Sequence, residues 1–255
     1  MRSCHYLSAL GSLLLILLLA AFTSATKPAI DIYLIGDSTM ADKPGTPAEN
    51  PERGWGQLLS TYFTDAVAVH NHAVNGRSSR SFIGEGRWQT VLDELKSGDY
   101  VFIQFGHNDQ KFKDSTRYTN PWTGYRRNLE RFVRESRAKG AYPIILSSIV
   151  RRKFNEFGTL VDTHGEYPFV ARVVADQLDV PFIDMQLLTE DYVKALGPEP
   201  SKATYLWIEP GAYPTLPEGK QDDTHLSLQG ATAYAGMVIQ ALQEQGSPLT
   251  AYITH

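Results

Sequence analysis

Short apolar runs that alternate with helical patterns constrain the fold of this 255-residue chain more than any other feature. Such runs, rich in β-branched and aromatic residues and closed by glycine or polar turns, are typical of buried strands. The pattern predicts strands over 30–35, 66–73, 100–105, 142–147 and 181–184. It predicts helices from Trp55 to Phe63 and over 88–95, 123–139, 169–178, 187–196 and 228–245. Strands and helices that alternate in this way build a mainly parallel sheet in an α/β fold.

The predicted strands also determine which loops are neighbours. Ser38 follows the first strand, Gly76 follows the second and Asn108 follows the third. In an open parallel sheet these loops emerge at the same carboxyl edge, and a strand order of 2-1-3-4-5 makes them adjacent. We therefore expect the functional site at this edge, where the winding of the sheet reverses.

The first 25 residues differ from the rest of the chain. Arg2 is the only strongly charged residue before Lys27, residues 10–22 are nearly all apolar, and small residues follow at 23–25. This is a signal-peptide pattern, and its apolar core is shorter than the roughly 20 residues of a membrane-spanning helix. We predict a signal peptide over 1–25, one catalytic domain over 26–255, and a secreted or periplasmic protein without stable membrane association. An uncleaved anchor is the alternative.

Composition excludes several classes of function. The only cysteine, Cys4, lies in the predicted signal peptide, so the exported protein would have no disulfide and no cysteine nucleophile. With 24 basic and 28 acidic residues the net charge is −4, and no basic block predicts a nucleic-acid partner. We expect a monomer that needs no cofactor.

Ser38, Asp222 and His225 form the candidate catalytic set. A serine just after a strand is held rigidly, and it becomes a nucleophile when a histidine takes its proton. Asp222 lies three residues before His225, so one local turn can bring the carboxylate to the ring and leave Nε2 to act as base. The neighbouring Asp223 is the alternative orienting acid. Asp37 is expected to brace the turn that carries Ser38.

Ester hydrolysis also needs donors for the negative oxygen that forms in the transition state. We predict that this oxyanion hole consists of the backbone N–H groups of Ser38 and Gly76 and the side-chain amide of Asn108. The adjacent His107 is expected to support the loop.

The residues selected above lie in four sequence blocks, Gly36-Asp37-Ser38, Asn75-Gly76, Gly106-His107-Asn108-Asp109 and Asp222-x-x-His225. Together these blocks resemble those of the SGNH (GDSL-type) hydrolases. Further segments are Gly54-Trp55-Gly56, Asn75-Gly76-Arg77-Ser78-Ser79-Arg80-Ser81-Phe82, Glu85-Gly86-Arg87-Trp88 and Phe105-Gly106-His107-Asn108-Asp109. With these segments the chain resembles, more narrowly, the rhamnogalacturonan acetylesterases.

The resemblance implies a flavodoxin-like three-layer α/β/α fold with a five-stranded parallel sheet, the SGNH hydrolase fold. It implies metal-free removal of acetyl groups from acetylated pectic polysaccharide outside the cell. It assigns Ser38 as nucleophile, His225 as base, Asp222 as orienting acid, and Gly76 and Asn108 as oxyanion donors.

The residues that contact the sugar are harder to assign. Two loops, 148–165 and 197–220, open near the expected site, and a long loop commonly carries substrate contacts. Arg151 and Arg152 suit an anionic galacturonan, and Trp207 suits sugar stacking. These three residues are the candidate substrate-binding set.

Three other functions compete with pectin deacetylation. The first is an SGNH esterase that acts on acetylated xylan or on simple esters. The second is a metal-dependent hydrolase, in which five side chains act as ligands: His70, His72, His107, Asp109 and His225. The third is a carbohydrate-binding protein with a decayed site.

Overall fold

The computed structural model describes residues 30–254, and these contain a central sheet of five parallel strands. In chain order the strands are β1 (Ile30–Gly36), β2 (Glu52–Arg53), β3 (Val67–Asn71), β4 (Tyr100–Gln104), β5 (Tyr142–Leu146), β6 (Phe182–Ile183), β7 (Tyr205–Ile208) and β8 (Lys220–Ser227). The central sheet has the order β3-β1-β4-β5-β6, which confirms the predicted order of the apolar runs. The predicted signal peptide lies outside the described residues. Among those residues no helix is long and apolar enough to cross a membrane.

Helices cover both faces of the central sheet and complete the predicted three-layer α/β/α fold. They are α1 (Trp55–Leu59), α2 (Ser79–Gly84), α3 (Arg87–Glu94), α4 (Arg126–Ala138), α5 (Tyr167–Gln177), α6 (Met185–Leu196) and α7 (Leu228–Glu244). Successive strand residues point to opposite faces, which separates two buried cores. Ile32 and Leu34 of β1 belong to the core formed with α1, α6 and α7. Tyr33 and Ile35 belong to the core formed with α2, α3, α4 and α5.

One helix prediction was too long, and one helix was missed. α1 ends at Leu59, and Phe63 follows a short 3₁₀ turn and bridges to Ile253. α2 was missed because it has only 6 residues, too few for a clear hydrophobic period. A signal for α2 was present, since Ser78 and Ser81 form a reciprocal capping box at its N-terminus.

The expectation that residues 197–220 form only a surface loop was also wrong. This segment contains β7, in which Tyr205 and Leu206 are each 1% exposed. β7 pairs antiparallel with β8, and β8 pairs antiparallel with β2, which makes a second sheet of three short strands. The second sheet positions β8, which leads directly into α7.

Gly54 and Gly56 hold α1 against the segment that follows Ser38. A Cβ atom added to Gly54 would lie 2.2 Å from the Ala41 carbonyl oxygen, and one added to Gly56 would lie 2.6 Å from that of Met40. Only glycine allows so close an approach. Between them, the Trp55 N–H donates to the carbonyl of residue 39 at 2.9 Å.

Replacing Gly54 tests this close packing. Gly54→Ala should lower the free energy of unfolding by about 1–3 kcal/mol or more, because backbone atoms must move to admit the methyl group. Urea unfolding measures the change. Gly84→Ala is the matched control, since a Cβ atom there meets no atom within 4 Å. Equal stability of the two variants would contradict the packing described here.

Candidate active site

Ser38 lies in a tight turn directly after β1. The backbone N–H groups of Met40 and Ala41 both donate to the Asp37 carbonyl, at 3.2 and 3.0 Å. The Asp37 carboxylate accepts from the backbone and the hydroxyl of Thr39, at 3.0 and 2.9 Å. Burial raises the pKa of Asp37. Asp37 therefore braces the turn, and Ser38 is held 9% exposed at its surface.

His225 lies in a bulge of β8. Tyr205 of β7 faces Leu226, whereas the next residue, Leu206, faces Asp222, so residues 223–225 are displaced from the strand pairing. Asp222 stabilises this bulge, because its Oδ1 accepts from the backbone N–H groups of Thr224 and His225 at 2.8 and 2.9 Å. The local turn that was expected between Asp222 and His225 is therefore a strand bulge closed by the Asp222 side chain.

A continuous chain of hydrogen bonds joins Asp222, His225 and Ser38. Asp222 Oδ2 lies 2.8 Å from His225 Nδ1, and His225 Nε2 lies 2.9 Å from Ser38 Oγ. A carboxylate only accepts hydrogen bonds, so Nδ1 carries the proton and Nε2 accepts from the Ser38 hydroxyl. Burial alone would raise the pKa of Asp222, but hydrogen bonds from the His225 ring and backbone outweigh it. The pKa of Asp222 therefore lies well below its ordinary value.

Asp223 makes its contacts elsewhere. Its Oδ1 accepts from Arg152 Nη1 and from Trp207 Nε1, both at 2.8 Å. Of the two adjacent acids, Asp222 is therefore the one that reaches the His225 ring.

The three predicted oxyanion donors come from neighbouring loops at the carboxyl edge. Val74 N–H donates to Gly36 O at 3.1 Å, so the segment leading to Gly76 lies beside the end of β1. Gly76 has a φ of +78°, a left-handed conformation that favours glycine. Within residues 30–254 the N–H groups of Ser38 and Gly76 have no hydrogen-bond partner. Asn108 Nδ2 donates to the carbonyl of residue 77 at 3.1 Å, which leaves a second amide hydrogen available.

Asp109 fixes the spacing between two of these loops. It is fully buried and accepts from Ser79 N and Oγ at 3.0 and 2.5 Å and from Thr119 Oγ1 at 2.7 Å. Burial raises the pKa of Asp109 to about 6 against the opposing effect of these hydrogen bonds. Asp109 thus ties the first turn of α2 to the loop that carries Asn108.

A family model described as the GDSL-like lipase/acylhydrolase family matches residues 34–233, a span that includes every residue of this arrangement. The chain belongs to this family. It is therefore a carboxylic ester hydrolase, and the resemblance inferred from the four sequence blocks is confirmed.

Relatives of this GDSL-like hydrolase include named acetylesterases. The chain is 42% identical to rhamnogalacturonan acetylesterase RhgT of Bacillus subtilis over 88% of this chain and 94% of that protein. It is 30% identical to the rhamnogalacturonan acetylesterase of Emericella nidulans over 88% of this chain and 89% of that protein.

Solved structures share the fold of this hydrolase. Protein YxiM of Bacillus subtilis superimposes with a TM-score of 0.72 at 27% identity, over 86% of this chain and 57% of that one. Axe2, an acetylxylan esterase from Geobacillus stearothermophilus, gives a TM-score of 0.59 at 21% identity, over 88% and 97% of the two chains. At that identity the second comparison supports the fold alone.

The side chains of the alternative metal set have other partners. His70 Nε2 lies 2.7 Å from Asp31 Oδ1, and His72 Nε2 lies 3.4 Å from Glu94 Oε2. Throughout the described residues, 30–254, no group of three or more His, Cys, Asp or Glu side chains is arranged to hold a metal ion. The structure does not bring the proposed ligands together.

His107 pairs with a histidine that the sequence analysis did not select. His107 Nδ1 lies 3.0 Å from His164 Nε2, and both rings are buried. Burial, with the neighbouring His164 and Arg151, holds the pKa of His107 well below its ordinary value. Burial, with Arg151, lowers the pKa of His164 to about 3. Both rings are therefore neutral, and the pair joins the loop after β4 to the loop before α5.

The candidate substrate-binding residues separate into two groups. Arg152 is 6% exposed, and it donates to Ser201 Oγ, to Asp223 and to the carbonyl of Pro198. Its guanidinium carbon lies 4.7 Å from the centre of the Trp207 ring, so Arg152 and Trp207 pack together around Asp223.

The side chain of Arg151 has different hydrogen-bond partners from that of Arg152. It donates to the Thr163 carbonyl at 3.2 Å and to the His107 carbonyl at 3.3 Å. Arg151 therefore lies beside the loop that carries Asn108.

Two cations at the site were missed by the sequence analysis. Lys220 Nζ lies 3.1 Å from Asp222 Oδ2, the same oxygen that binds the His225 ring. Arg117 Nη1 donates to Asn108 Oδ1 at 3.5 Å. Lys220 begins β8, a strand that lacks an apolar run, and Arg117 lies in a loop, so no sequence signal indicated either contact.

Replacing each adjacent acid by its amide tests which one orients His225. Asp222→Asn should lower kcat on a neutral aryl acetate by about 10⁴-fold, because an amide favours the wrong tautomer of the ring. Asp223→Asn, the matched control, keeps an oxygen acceptor for Arg152 and Trp207 and should stay within about tenfold of the wild type. A larger loss from the Asp223 variant than from the Asp222 variant would reverse the assignment.

Proposed function

We propose that this protein is a secreted serine acetylesterase that releases acetate from acetylated rhamnogalacturonan. The observation that carries the proposal is the hydrogen-bonded chain from Asp222 through His225 to Ser38, with distances of 2.8 and 2.9 Å. Two relatives named rhamnogalacturonan acetylesterases, at 42% and 30% identity, support the substrate. The signal-peptide pattern of residues 1–25 supports secretion.

In the first half of the proposed reaction, Ser38 Oγ attacks the carbonyl carbon of the acetyl ester. His225 Nε2 takes the hydroxyl proton, and the ionised Asp222 stabilises the resulting imidazolium. The carbonyl oxygen becomes negative and accepts hydrogen bonds from the N–H groups of Ser38 and Gly76 and from the Asn108 amide. His225 then donates its proton to the sugar oxygen as the ester C–O bond breaks. The products are a free sugar hydroxyl and an acetylated Ser38.

In the second half, water replaces the sugar as the reacting group. His225 takes a proton from this water, which attacks the acetyl carbonyl of Ser38 with help from the same oxyanion donors. Collapse of the intermediate breaks the bond to Ser38 Oγ, which recovers a proton from His225. Acetate leaves, and the free enzyme is restored.

Acetate release from a panel of polymers tests the proposed substrate. Initial rates are measured on acetylated rhamnogalacturonan, acetylated homogalacturonan, acetylated xylan and a neutral aryl acetate. The highest kcat/KM among the polymers is expected on rhamnogalacturonan. Ser38→Ala should lower every rate by at least about a thousandfold, since loss of the nucleophile leaves only binding and the oxyanion donors.

Two results would contradict the proposal. A preference for xylan would favour the competing SGNH esterase function. Substantial turnover by a folded Ser38→Ala protein, with circular dichroism matching the wild type, would remove Ser38 as nucleophile.

A further inference from the structure

Three cations meet around the loop that supplies Asn108. Lys111 belongs to this loop, and its backbone N–H donates to the Asn108 carbonyl at 3.2 Å. Arg117 reaches the Asn108 side-chain oxygen at 3.5 Å, and Arg151 reaches the His107 carbonyl at 3.3 Å. Positive charge from three separate positions is therefore concentrated beside the predicted oxyanion hole.

Of these three cations, only Arg117 forms an ion pair within residues 30–254, and the charges of Asp37 and Asp162 act on the group without such contact. Arg117 pairs with Asp114, with Nε and Oδ2 2.5 Å apart. Arg151 donates to uncharged oxygens of Thr163 and His107. Among the described residues, the Lys111 ammonium forms neither an ion pair nor a hydrogen bond. Partial burial, together with the neighbouring positive charges of Arg117 and Arg151, lowers the pKa of Lys111.

The same loop presents an exposed apolar ring, that of Phe112, and Lys113 Nζ lies 5.7 Å from its centre. Phe112 follows Lys111 and is 73% exposed, whereas Phe82, Phe102, Phe105 and Phe132 are fully buried. The loop around Phe112 is held by internal bonds, since Asp114 N–H donates to the Lys111 carbonyl at 2.8 Å and Asp114 Oδ1 accepts from Thr116. An exposed aromatic ring on a firmly bonded loop offers a flat surface for a sugar ring.

We propose that Lys111, Arg117 and Arg151 form an anion subsite for the carboxylate of a uronic-acid unit in the substrate chain, with Phe112 packing against a sugar ring. This inference rests on the proposed function, because the ester substrate must contain such a unit. Guanidinium and ammonium groups bind carboxylates through charge-assisted hydrogen bonds. The subsite lies next to the predicted oxyanion donors, so it would bind the chain close to the acetyl group that is removed.

Lys111 is the residue to replace, because it lies at the surface and its ammonium makes no hydrogen bond or ion pair with the other residues of 30–254. Lys111→Gln should lower kcat/KM on acetylated rhamnogalacturonan about tenfold relative to kcat/KM on a neutral aryl acetate, mainly through a higher KM. Lys111→Arg should restore most of this ratio. Lys139→Gln is the charge-matched control, since Lys139 is exposed at the opposite edge of the sheet, before β5.

An inhibition assay tests the subsite independently of polymer turnover. Deacetylated oligogalacturonate should inhibit aryl acetate hydrolysis by the wild type, and its inhibition constant should rise about tenfold in Lys111→Gln but not in Lys139→Gln. A neutral oligosaccharide with its carboxyl groups reduced should inhibit weakly in all three proteins.

The results separate the two proposals. Failure of the wild type to release acetate from pectic polymers would end the proposed function, while the inhibition assay would still measure anion binding at Lys111. Equal losses in the Lys111 and Lys139 variants would overturn the subsite, since they would reflect net charge alone. Equal inhibition by the charged and the carboxyl-reduced oligosaccharides would also overturn it.

Discussion

The hydrogen bond between Ser38 Oγ and His225 Nε2 is the interaction on which this site depends, and it joins residues 187 positions apart in the chain. No local sequence preference can bring such distant groups together. The bond requires β1 to end at the carboxyl edge of the central sheet and β8 to end beside it. The parallel sheet and the small antiparallel sheet must therefore both form for Ser38 to meet the His225 ring.

Two opposite kinds of constraint hold the two ends of this bond. Ser38 lies in a turn that the buried Asp37 braces through hydrogen bonds. Gly54 and Gly56 pack closely against the backbone of the residues that follow this turn. His225 lies in a bulge, where regular strand pairing is interrupted and the Asp222 carboxylate supplies the missing backbone hydrogen bonds. The same carboxylate orients the ring through its other oxygen. The Asp222 carboxylate therefore both stabilises the bulge and orients the His225 ring.

The sequence predicted secondary structure well where buried residues form a continuous apolar run or a regular pattern. Strands β1, β4 and β5 are buried on both faces, so their apolar runs were clear, and the strand order assumed for them made the loops of Ser38, Gly76 and Asn108 neighbours. β7 was missed because its four residues lie in a segment rich in glycine and proline, although Tyr205 and Leu206 are buried. Short strands whose stability comes from a distant partner give little local signal.

The site residues also divide into those that a local sequence pattern predicts and those that only the folded structure reveals. Ser38 could be selected because it follows a buried strand, and Asp222 and His225 because they are three residues apart. The structure brings the three within hydrogen-bond distance. The roles of the cations depend on loop geometry. The sequence could not distinguish Arg151, which lies beside the Asn108 loop, from Arg152, which packs between Asp223 and Trp207. Nor could it indicate that the Arg117 guanidinium reaches Asn108.

Covalent labelling tests the central claim, that Ser38 is a nucleophile activated by His225, most directly. The wild-type protein is treated with an organophosphorus ester reagent such as diisopropyl fluorophosphate, and the adduct is located by peptide mass spectrometry. The account predicts one stoichiometric adduct, on Ser38, and labelling at least about 100-fold slower in His225→Ala. An adduct on another residue with Ser38 unmodified, or equal labelling rates with and without the His225 ring, would contradict it.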